Sequence, residues 1–272
     1  MRQSRVTIVK AGAGAWEQPK FEHLNRVNAP AVKGRFGLMI PHTGEVTMHW
    51  AQFYRDLVLP EDSAIGINRG LPVDLSRDAM TYHLVYEKQC EWVGYLDSDV
   101  IGDPEMFLYL VDFAQKNSLK ILSGMYYAKQ PFYEPKYHPC AWLRVADGGQ
   151  GMLMPVNADD PQNWDACFPV DAVGFGCIVV HHTVFRALRR PWFMFGTGRF
   201  IGGAAFNRQM SEDFYFCERA KELGILTYLN TNVRCYHMAT MALNEVGVPC
   251  LKAETDYPKI QRWGGGEEKV VP

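Results

Sequence analysis

The chain has 272 residues, of which 47% are hydrophobic and 21% are charged, a composition typical of a folded globular protein with a large core. Its formal net charge of -2 excludes a global basic field for holding a polyanion, although a local basic patch would leave nucleic acid open as an acceptor. The seven cysteines form no C-x-x-C pair, which argues against a structural zinc site and favours buried, reduced thiols.

The N-terminal segment Met1–Arg5 is followed by only a very short apolar run, so no signal peptide is expected. No stretch approaches the roughly 20 consecutive apolar residues that a membrane-spanning helix needs. The sequence therefore predicts a chain without a membrane span, located in the cytoplasm.

The first half of the chain alternates apolar runs with segments of helical spacing. Residues 1–35 are poorly patterned and are predicted as an N-terminal extension. Predicted strands lie at 36–41, 63–67, 92–96 and 119–124. Predicted helices lie at 46–59, 74–86 and 103–114, with Asp74 or Ser76 capping the second and Asp103-Pro104 opening the third. This alternation is the signature of a parallel α/β sheet.

The second half is less regular. Residues 130–168 are rich in Pro, Tyr, Trp, Asp and Gly, which predicts a long active-site loop or a small hairpin region. Further elements are predicted as a strand at 170–180, a helix at 211–223 and a strand at 225–229. Gly224 stands in the position that commonly ends a helix. We expect one catalytic domain at 36–245, followed by a C-terminal tail at 246–272.

Two carboxylates, Asp97 and Asp99, directly follow the apolar strand at 92–96. In an open α/β sheet, ligands bind at the carboxyl ends of the strands. Carboxylate oxygens suit hard cations such as Mg²⁺ or Mn²⁺, which bridge a protein to a diphosphate. An ordinary acidic turn has the same residues, but acids beside a buried strand cost free energy unless they have a partner. The pattern therefore favours a ligand site.

Three further signals lie downstream of this acid pair. Glu212 and Asp213 stand in the first turn of a predicted helix, where acids are common and where a catalytic base would also be held rigidly. His237 follows the last strand; a neutral imidazole there would complete a manganese site, although a lone histidine is more often structural. Gly174 and Gly176 interrupt a strand, which marks either a bulge or the close approach of a ligand.

In their order along residues 36–240, these motifs resemble those of the GT-A glycosyltransferases, especially small bacterial, phage and archaeal-virus members near family 2. The motifs that carry the resemblance are 40–44 with its proline, 71–78 with its arginine, Trp92–Asp99, Gly174–Cys177, Val184-Phe185, Glu212–Cys217 and Gly224–His237. The glycine-rich W-G-G-E-D sequence of some relatives is absent before Glu212. The resemblance implies an α/β fold of the GT-A kind, with a mainly parallel central sheet flanked by helices.

The resemblance also implies a reaction and a set of site residues. A sugar would pass from a nucleotide-sugar, with UDP- or GDP-sugars as the expected donors, to an acceptor hydroxyl with the help of Mn²⁺ or Mg²⁺. The metal would be bound by Asp97, Asp99 and His237. The base that deprotonates the acceptor would be Asp213, with Glu212 as the alternate. Donor-binding residues would be Pro41 and Thr43 at the base, Arg77 at the diphosphate, Asp97 near the ribose, and Gly174.

Two alternatives stay open. A phosphatase of the haloacid dehalogenase type also has D-x-D after an apolar strand, but on the first strand of its domain, whereas two strand-like segments precede Asp97. A non-catalytic carbohydrate-binding protein on the same fold would stack sugars on aromatic residues, which are frequent in residues 126–142. The sequence names neither the donor sugar nor the acceptor, and it leaves open inversion or retention, the oligomeric state, and the roles of residues 1–35 and the tail.

Overall fold

The structure is a computed structural model that describes residues 32–42, 44–128, 138–145, 152–157, 160–163, 165–197, 209–238, 242–243 and 249–250. The first half of the chain forms β1 (Phe36–His42), α1 (Met48–Asp56), β2 (Ala64–Arg69), α2 (Val73–Tyr82), β3 (Trp92–Leu96), β4 (Val100–Ile101), α3 (Met106–Lys116) and β5 (Ile121–Met125). A π-helical turn, His83–Glu87, extends α2.

The second half forms mostly strands. They are β6 (Ala141–Val145), β7 (Met152–Pro155), β8 (Cys167–Val170), β9 (Ala172–Val173), β10 (Cys177–His181), β11 (Gly196–Thr197), β12 (Gln209–Met210), β13 (Thr227–Arg234), β14 (Tyr236–His237), β15 (Ala242–Leu243) and β16 (Pro249–Cys250). The helices are α4 (His182–Ala187) and α5 (Glu212–Glu222), and Pro161–Asn163 form a 3-10 turn.

Seven strands form the central sheet, in the order β2-β1-β3-β10-β5-β13-β8. Parallel pairs join β1 to β2, β1 to β3, and β13 to β5. Antiparallel pairs join β10 to β3 and to β5, and β8 to β13. All strands of the sheet except β10 and β8 therefore run in one direction. The predicted α/β fold with a mainly parallel central sheet is confirmed.

Helices cover both faces of this sheet. One apolar cluster joins Met39 and Tyr95 of the sheet to α4, α5 and the π-helical turn. The other joins Leu38 and Leu96 to α1 and α3. Because neighbouring residues of a strand point to opposite faces, a strand covered on both sides is apolar throughout. That is why continuous apolar runs predicted the buried strands β1, β3 and β5 correctly.

The strand at 170–180 was predicted to be interrupted by Gly174 and Gly176, and the structure divides it there into two strands. The chain forms β9, which pairs with β6 in a small three-stranded sheet, and β10, which lies in the central sheet. Gly174–Gly176 lie between them and carry the chain from one sheet to the other. The predicted hairpin region at 130–168 does contain a hairpin, β6 with β7.

Two predicted helix starts are wrong. Helix α2 begins at Val73 after Pro72, so neither Asp74 nor Ser76 caps it. Proline fixes φ near the helical value, and the helix therefore starts directly after it. Asp103 does cap a turn, since its Oδ1 accepts a hydrogen bond from the Glu105 N–H at 2.8 Å, but α3 itself begins later, at Met106.

Of the remaining predictions about the fold, one is confirmed and the domain boundaries are untested. Gly224 follows α5 with a φ of +72°, as predicted for a residue that ends a helix. In the described part of the chain, no helix is long and apolar enough to cross a membrane. The predicted extension at 1–35 and tail at 246–272 fall mostly outside the described residues, and these boundaries stay predictions.

Candidate functional site

The carboxyl ends of three neighbouring strands lie side by side at one edge of the sheet. His42 of β1 is opposite Arg69 of β2, and Met39 of β1 is opposite Tyr95 of β3, so Asp97 emerges at the same level. Because these strands are parallel, the loops that follow them all open on this edge. This is the position at which open α/β sheets bind ligands.

Asp97 is fixed to its surroundings at three points. Its backbone N–H donates to the Gly176 carbonyl at 3.2 Å, and its own carbonyl accepts from Trp50 Nε1 at 3.0 Å. Its carboxylate Oδ1 accepts a hydrogen bond from Arg77 Nη2 at 2.9 Å. The first acid of the D-x-D motif is therefore held in one orientation. Trp50 was not singled out from the sequence, since its indole contact lies 47 residues away along the chain.

Arg77 is 3% exposed and contacts two carboxylates, those of Asp97 and Glu212. Its guanidinium also lies over the Phe175 ring, 5.4 Å from the ring centroid. Burial acts to lower the pKa of Arg77, but the two carboxylates more than offset it, so that the pKa is raised. Arg77 thus connects the D-x-D loop to the start of α5. Its contact with a donor diphosphate stays a prediction.

The two acids at the start of α5 differ in accessibility. Glu212 is 5% exposed and is paired with Arg77, whereas Asp213 is half-buried. The Asp213 carboxylate accepts hydrogen bonds from the Ser211 hydroxyl and, at 2.9 Å, from the Phe214 N–H. Asp213 therefore has a fixed position and is the less buried of the two acids, which favours it as the base.

One arginine is shared among three acids in this cluster. Burial raises the pKa of Glu212 to about 7, the positive charge of Arg77 opposes this, and the negative charge of Asp213 adds to it. Burial also raises the pKa of Asp213, again against the effect of Arg77. A single guanidinium does not compensate three carboxylates, so we expect the cluster to take up a proton near neutral pH.

This proton gives a testable pH dependence of stability. The folded state holds the Glu212 proton up to a pH of about 7, whereas the unfolded chain loses it near the ordinary value of 4.5. The folded state therefore binds more protons in this window, and the free energy of unfolding is expected to fall as the pH rises through it. One group contributes at most about 1.4 kcal/mol per pH unit.

The measurement is urea unfolding of the wild type and of Glu212→Gln at several values from about pH 5 to about pH 8. The glutamine variant should lose a large part of the downward slope, since its amide does not titrate. A slope identical to that of the wild type would contradict the assignment of the proton to Glu212.

Asp99 and His237 lie together although 138 positions separate them in the sequence. His237 Nε2 is 3.4 Å from Asp99 Oδ1, and β14, which carries His237, pairs with β4, which directly follows Asp99. The main chain supports the same contact, because the Met238 N–H donates to the Asp99 carbonyl at 2.7 Å. The predicted proximity of these two residues is thus seen in the structure.

The tautomer of His237 decides what this pair can bind. Nδ1 lies 2.9 Å from the Tyr127 carbonyl, which only accepts, so Nδ1 carries the proton. In the neutral imidazole, Nε2 then presents its lone pair toward the Asp99 carboxylate. Two acceptors at this distance need a cation or a proton between them, and a histidine whose other nitrogen donates to a carbonyl is typical of metal ligands. The carboxylate oxygen suits both Mg²⁺ and Mn²⁺, and the imidazole nitrogen favours Mn²⁺ of the two.

Asp97 is placed differently from the other two predicted metal ligands. Its Oδ1 is occupied by Arg77, so a metal contact would use its other oxygen. Among the residues that the structure describes, no three His, Cys, Asp or Glu side chains are grouped as a metal site. The three-residue set of Asp97, Asp99 and His237 therefore stays a prediction.

Gly174 and Gly176 lie against a buried tyrosine. A Cβ at Gly174 would be 2.1 Å from the Tyr126 hydroxyl oxygen, and one at Gly176 would be 2.8 Å from Tyr126 Cζ. The Gly176 N–H donates to the same hydroxyl at 2.9 Å. Packing of Tyr126 accounts for both glycines, and the contact of Gly174 with a donor stays a prediction. From the sequence, Tyr126 was considered only as an aromatic residue that could stack on a sugar, because nothing in its local pattern marks a buried phenol.

Gly174→Ala is expected to lower the free energy of unfolding by about 1–3 kcal/mol, because the added methyl overlaps Tyr126. The measurement is urea unfolding of the single variant, of Tyr126→Phe, and of the double variant. Removing the Tyr126 hydroxyl should reduce the destabilisation caused by the alanine. The free energy of unfolding of the double variant should therefore fall by less than the sum of the two single losses. Strictly additive losses would contradict this contact.

The remaining donor-binding predictions concern the loop after β1. Pro41 is half-buried in β1, opposite Asn68 of β2, at the edge described above. Thr43 lies outside the described residues. The lining of a base pocket by these two residues stays a prediction.

Comparisons with known proteins point to the fold. No family model matches the chain, and no curated protein matches it. Among solved structures, A197 from STIV aligns with a TM-score of 0.53 and 18% identity, over 84% of this chain and 99% of that chain. GalNAc-T7 with UDP, GalNAc and Mn2+ gives a TM-score of 0.49 and 12% identity, over 76% of this chain and 44% of that chain, so this chain spans less than half of it. The GT-A fold expected from the sequence is confirmed, and at these identities the likeness concerns the fold alone.

Proposed function

We propose that the chain is a glycosyltransferase, which moves a sugar from a nucleotide-sugar donor to an acceptor hydroxyl with the help of a divalent cation. The observation that carries the proposal is the meeting of Asp99 with His237 beside the Asp97–Arg77–Glu212 cluster, at the ligand-binding edge of the sheet. These residues come from distant parts of the chain. The α/β fold supports the proposal, because open α/β sheets bind their ligands at this edge.

Asp99 and His237 would hold the cation, with Mn²⁺ and Mg²⁺ as the candidates. When bound, such an ion offsets negative charge on the departing nucleoside diphosphate. Asp97 would bind the cation through Oδ2, because Oδ1 accepts from Arg77, or it would instead face the donor ribose. Arg77 contacts the carboxylates of both Asp97 and Glu212. It therefore links the loop after β3 to the start of α5.

Asp213 would take the proton of the acceptor hydroxyl. Its carboxylate is oriented by Ser211 and by the Phe214 N–H, and burial raises its pKa, which brings a carboxylate closer to the pH at which a base is efficient. Glu212 is the alternate, but its burial and its pairing with Arg77 leave it less accessible.

The two other functions considered from the sequence receive less support. A phosphatase nucleophile belongs after the first strand of its domain, whereas Asp97 follows β3, and its carboxylate is hydrogen-bonded to Arg77. In a carbohydrate-binding protein, aromatic rings would be free to stack on sugars. Tyr126 is instead buried against Gly176, and Trp142 packs edge-on against Phe214 with ring centroids 4.6 Å apart.

The proposal is tested by incubating the protein with a panel of UDP- and GDP-sugars, with and without Mn²⁺, and measuring release of nucleoside diphosphate. Metal-dependent release from one donor, lost in Asp99→Ala, is expected. Release of inorganic phosphate from phosphate monoesters, with every nucleotide-sugar left intact, would overturn the proposal in favour of a phosphatase.

A further inference from the structure

Arg69 and His42 end two neighbouring strands of the sheet. They are opposite each other in the parallel register of β2 and β1, at the same edge as the D-x-D loop. Strand β1 lies between β2 and β3, so the backbone of Arg69 is about 10 Å from the end of β3, given strands about 4.8 Å apart. A ligand whose diphosphate lies at Asp99 would extend along this edge toward Arg69.

The guanidinium of Arg69 lies against the loop that follows β1. A Cβ at Gly44 would be 2.9 Å from Arg69 Nη2 and 3.0 Å from Nε, so any larger residue would displace the arginine. Gly44 also has a φ of +129°, which disfavours other residues. The Arg69 guanidinium therefore lies directly against the main chain at Gly44.

Arg69 carries a charge that no acid of the described chain pairs with. Other arginines are used internally: Arg77 by Asp97 and Glu212, and Arg190 by Asp78. Arg69 is exposed and forms neither an ion pair nor a side-chain hydrogen bond with any residue that the structure describes. Its five N–H donors are thus available to a ligand.

His42 presents a second donor. Its Nδ1 accepts a hydrogen bond from the Gly44 N–H at 3.0 Å, so the neutral imidazole carries its proton on Nε2. The last residues of β1 and β2, His42 and Arg69, therefore both offer donors. A ligand group with two adjacent acceptors would satisfy this pattern.

We propose that Arg69, assisted by His42, selects guanine as the base of the donor, which makes the substrate a GDP-sugar; this rests on the proposed function. Guanine presents two adjacent acceptors, O6 and N7, to which arginine binds with two parallel hydrogen bonds. Cytosine also has two adjacent acceptors, O2 and N3, so CDP enters the test as the competitor. Adenine has a donor amine beside N7, and uracil has no adjacent pair of acceptors on one edge. Either base would leave a donor of Arg69 facing another donor or facing nothing.

The test is calorimetric titration of the full chain with GDP, CDP, UDP, ADP and 7-deaza-GDP in the presence of Mn²⁺. GDP is expected to bind about 10- to 100-fold more tightly than UDP or ADP, the discrimination of one good bidentate pair. The 7-deaza compound lacks the N7 acceptor, and its affinity should fall toward that of UDP. Arg69→Ala should remove the preference for GDP while leaving the Kd for UDP within about twofold.

Arg186→Ala is the matched control, since it removes one exposed arginine from α4, which follows the opposite edge of the sheet. It should keep the preference for GDP. Tighter binding of UDP or CDP than of GDP, or an equal loss of affinity for every diphosphate in Arg69→Ala, would overturn the assignment to guanine and leave the proposed function standing. Failure of the wild type to bind any nucleoside diphosphate would instead overturn the proposed function.

Discussion

Asp213→Asn is expected to lower the rate of nucleoside diphosphate release in sugar transfer by about 100-fold or more, the usual contribution of a general base. The amide keeps the size of the side chain and its hydrogen bond from the Phe214 N–H, but it does not take a proton from an acceptor. Because Asp213 would act on the acceptor and not on the donor, the Kd for the nucleoside diphosphate should stay within about twofold. Steady-state rates and calorimetric titration provide the two readouts.

Glu212→Gln is the neighbouring control for this experiment. Glu212 is 5% exposed and paired with Arg77, so its substitution should affect stability more than the chemical step. A loss of rate in Glu212→Gln as large as that in Asp213→Asn, with both variants folded, would contradict the choice of Asp213 as the base.

Arg77→Leu is expected to lower the free energy of unfolding by about 3–5 kcal/mol, the cost of removing one partner from a buried ion pair. Both Asp97 and Glu212 lose their positive partner, and neither carboxylate finds a substitute in the described structure. The loss should be smaller at about pH 5 than at about pH 8, because Glu212 can then be protonated. Urea unfolding followed by tryptophan fluorescence provides the measurement.

Arg55→Ala serves as the control for loss of an arginine. Arg55 pairs with the adjacent Asp56 at an exposed position, so its removal should cost less than about 1 kcal/mol. If Arg77→Leu also cost less than about 1 kcal/mol at both pH values, the claim that Arg77 stabilises the fold by pairing with Asp97 and Glu212 would be contradicted.

The parts of this fold that could be predicted from the sequence are those set by local rules. The buried strands β1, β3 and β5 read as apolar runs because both faces of the sheet are covered. Gly224 was recognised at the end of α5 because helices commonly end at a glycine, and its φ of +72° agrees with this. The two acids after β3 were recognised because polar residues at that position need a partner.

The parts that could not be predicted depend on contacts distant in sequence. The contact of Arg77 with Glu212 joins residues 135 positions apart, and no local pattern marks it. The break between β9 and β10 lies at Gly174–Gly176, where the distant Tyr126 fills the adjacent space. The start of α2 depended on Pro72, whereas Asp74 and Ser76 offered equally good caps by residue type alone.

The prediction that Asp99 and His237 lie close together was based on the resemblance to GT-A glycosyltransferases and not on a local sequence rule. Each residue alone has an ordinary structural explanation, and only the order of motifs along the chain joined them. In the structure the pairing of β14 with β4 brings them together, which shows how a short strand after β13 returns the chain to the D-x-D loop.

The central claim, that this edge binds a nucleoside diphosphate through a cation at Asp99 and His237, is tested most directly by thermal stability. The wild type and Asp99→Ala would be heated with UDP or GDP, each with and without Mn²⁺. A nucleotide at about 100 times its Kd should stabilise the wild type by roughly 2.7 kcal/mol. We expect that gain only with Mn²⁺ present and expect it to vanish in Asp99→Ala; an equal gain in that variant, or none with either nucleotide in the wild type, would contradict the claim.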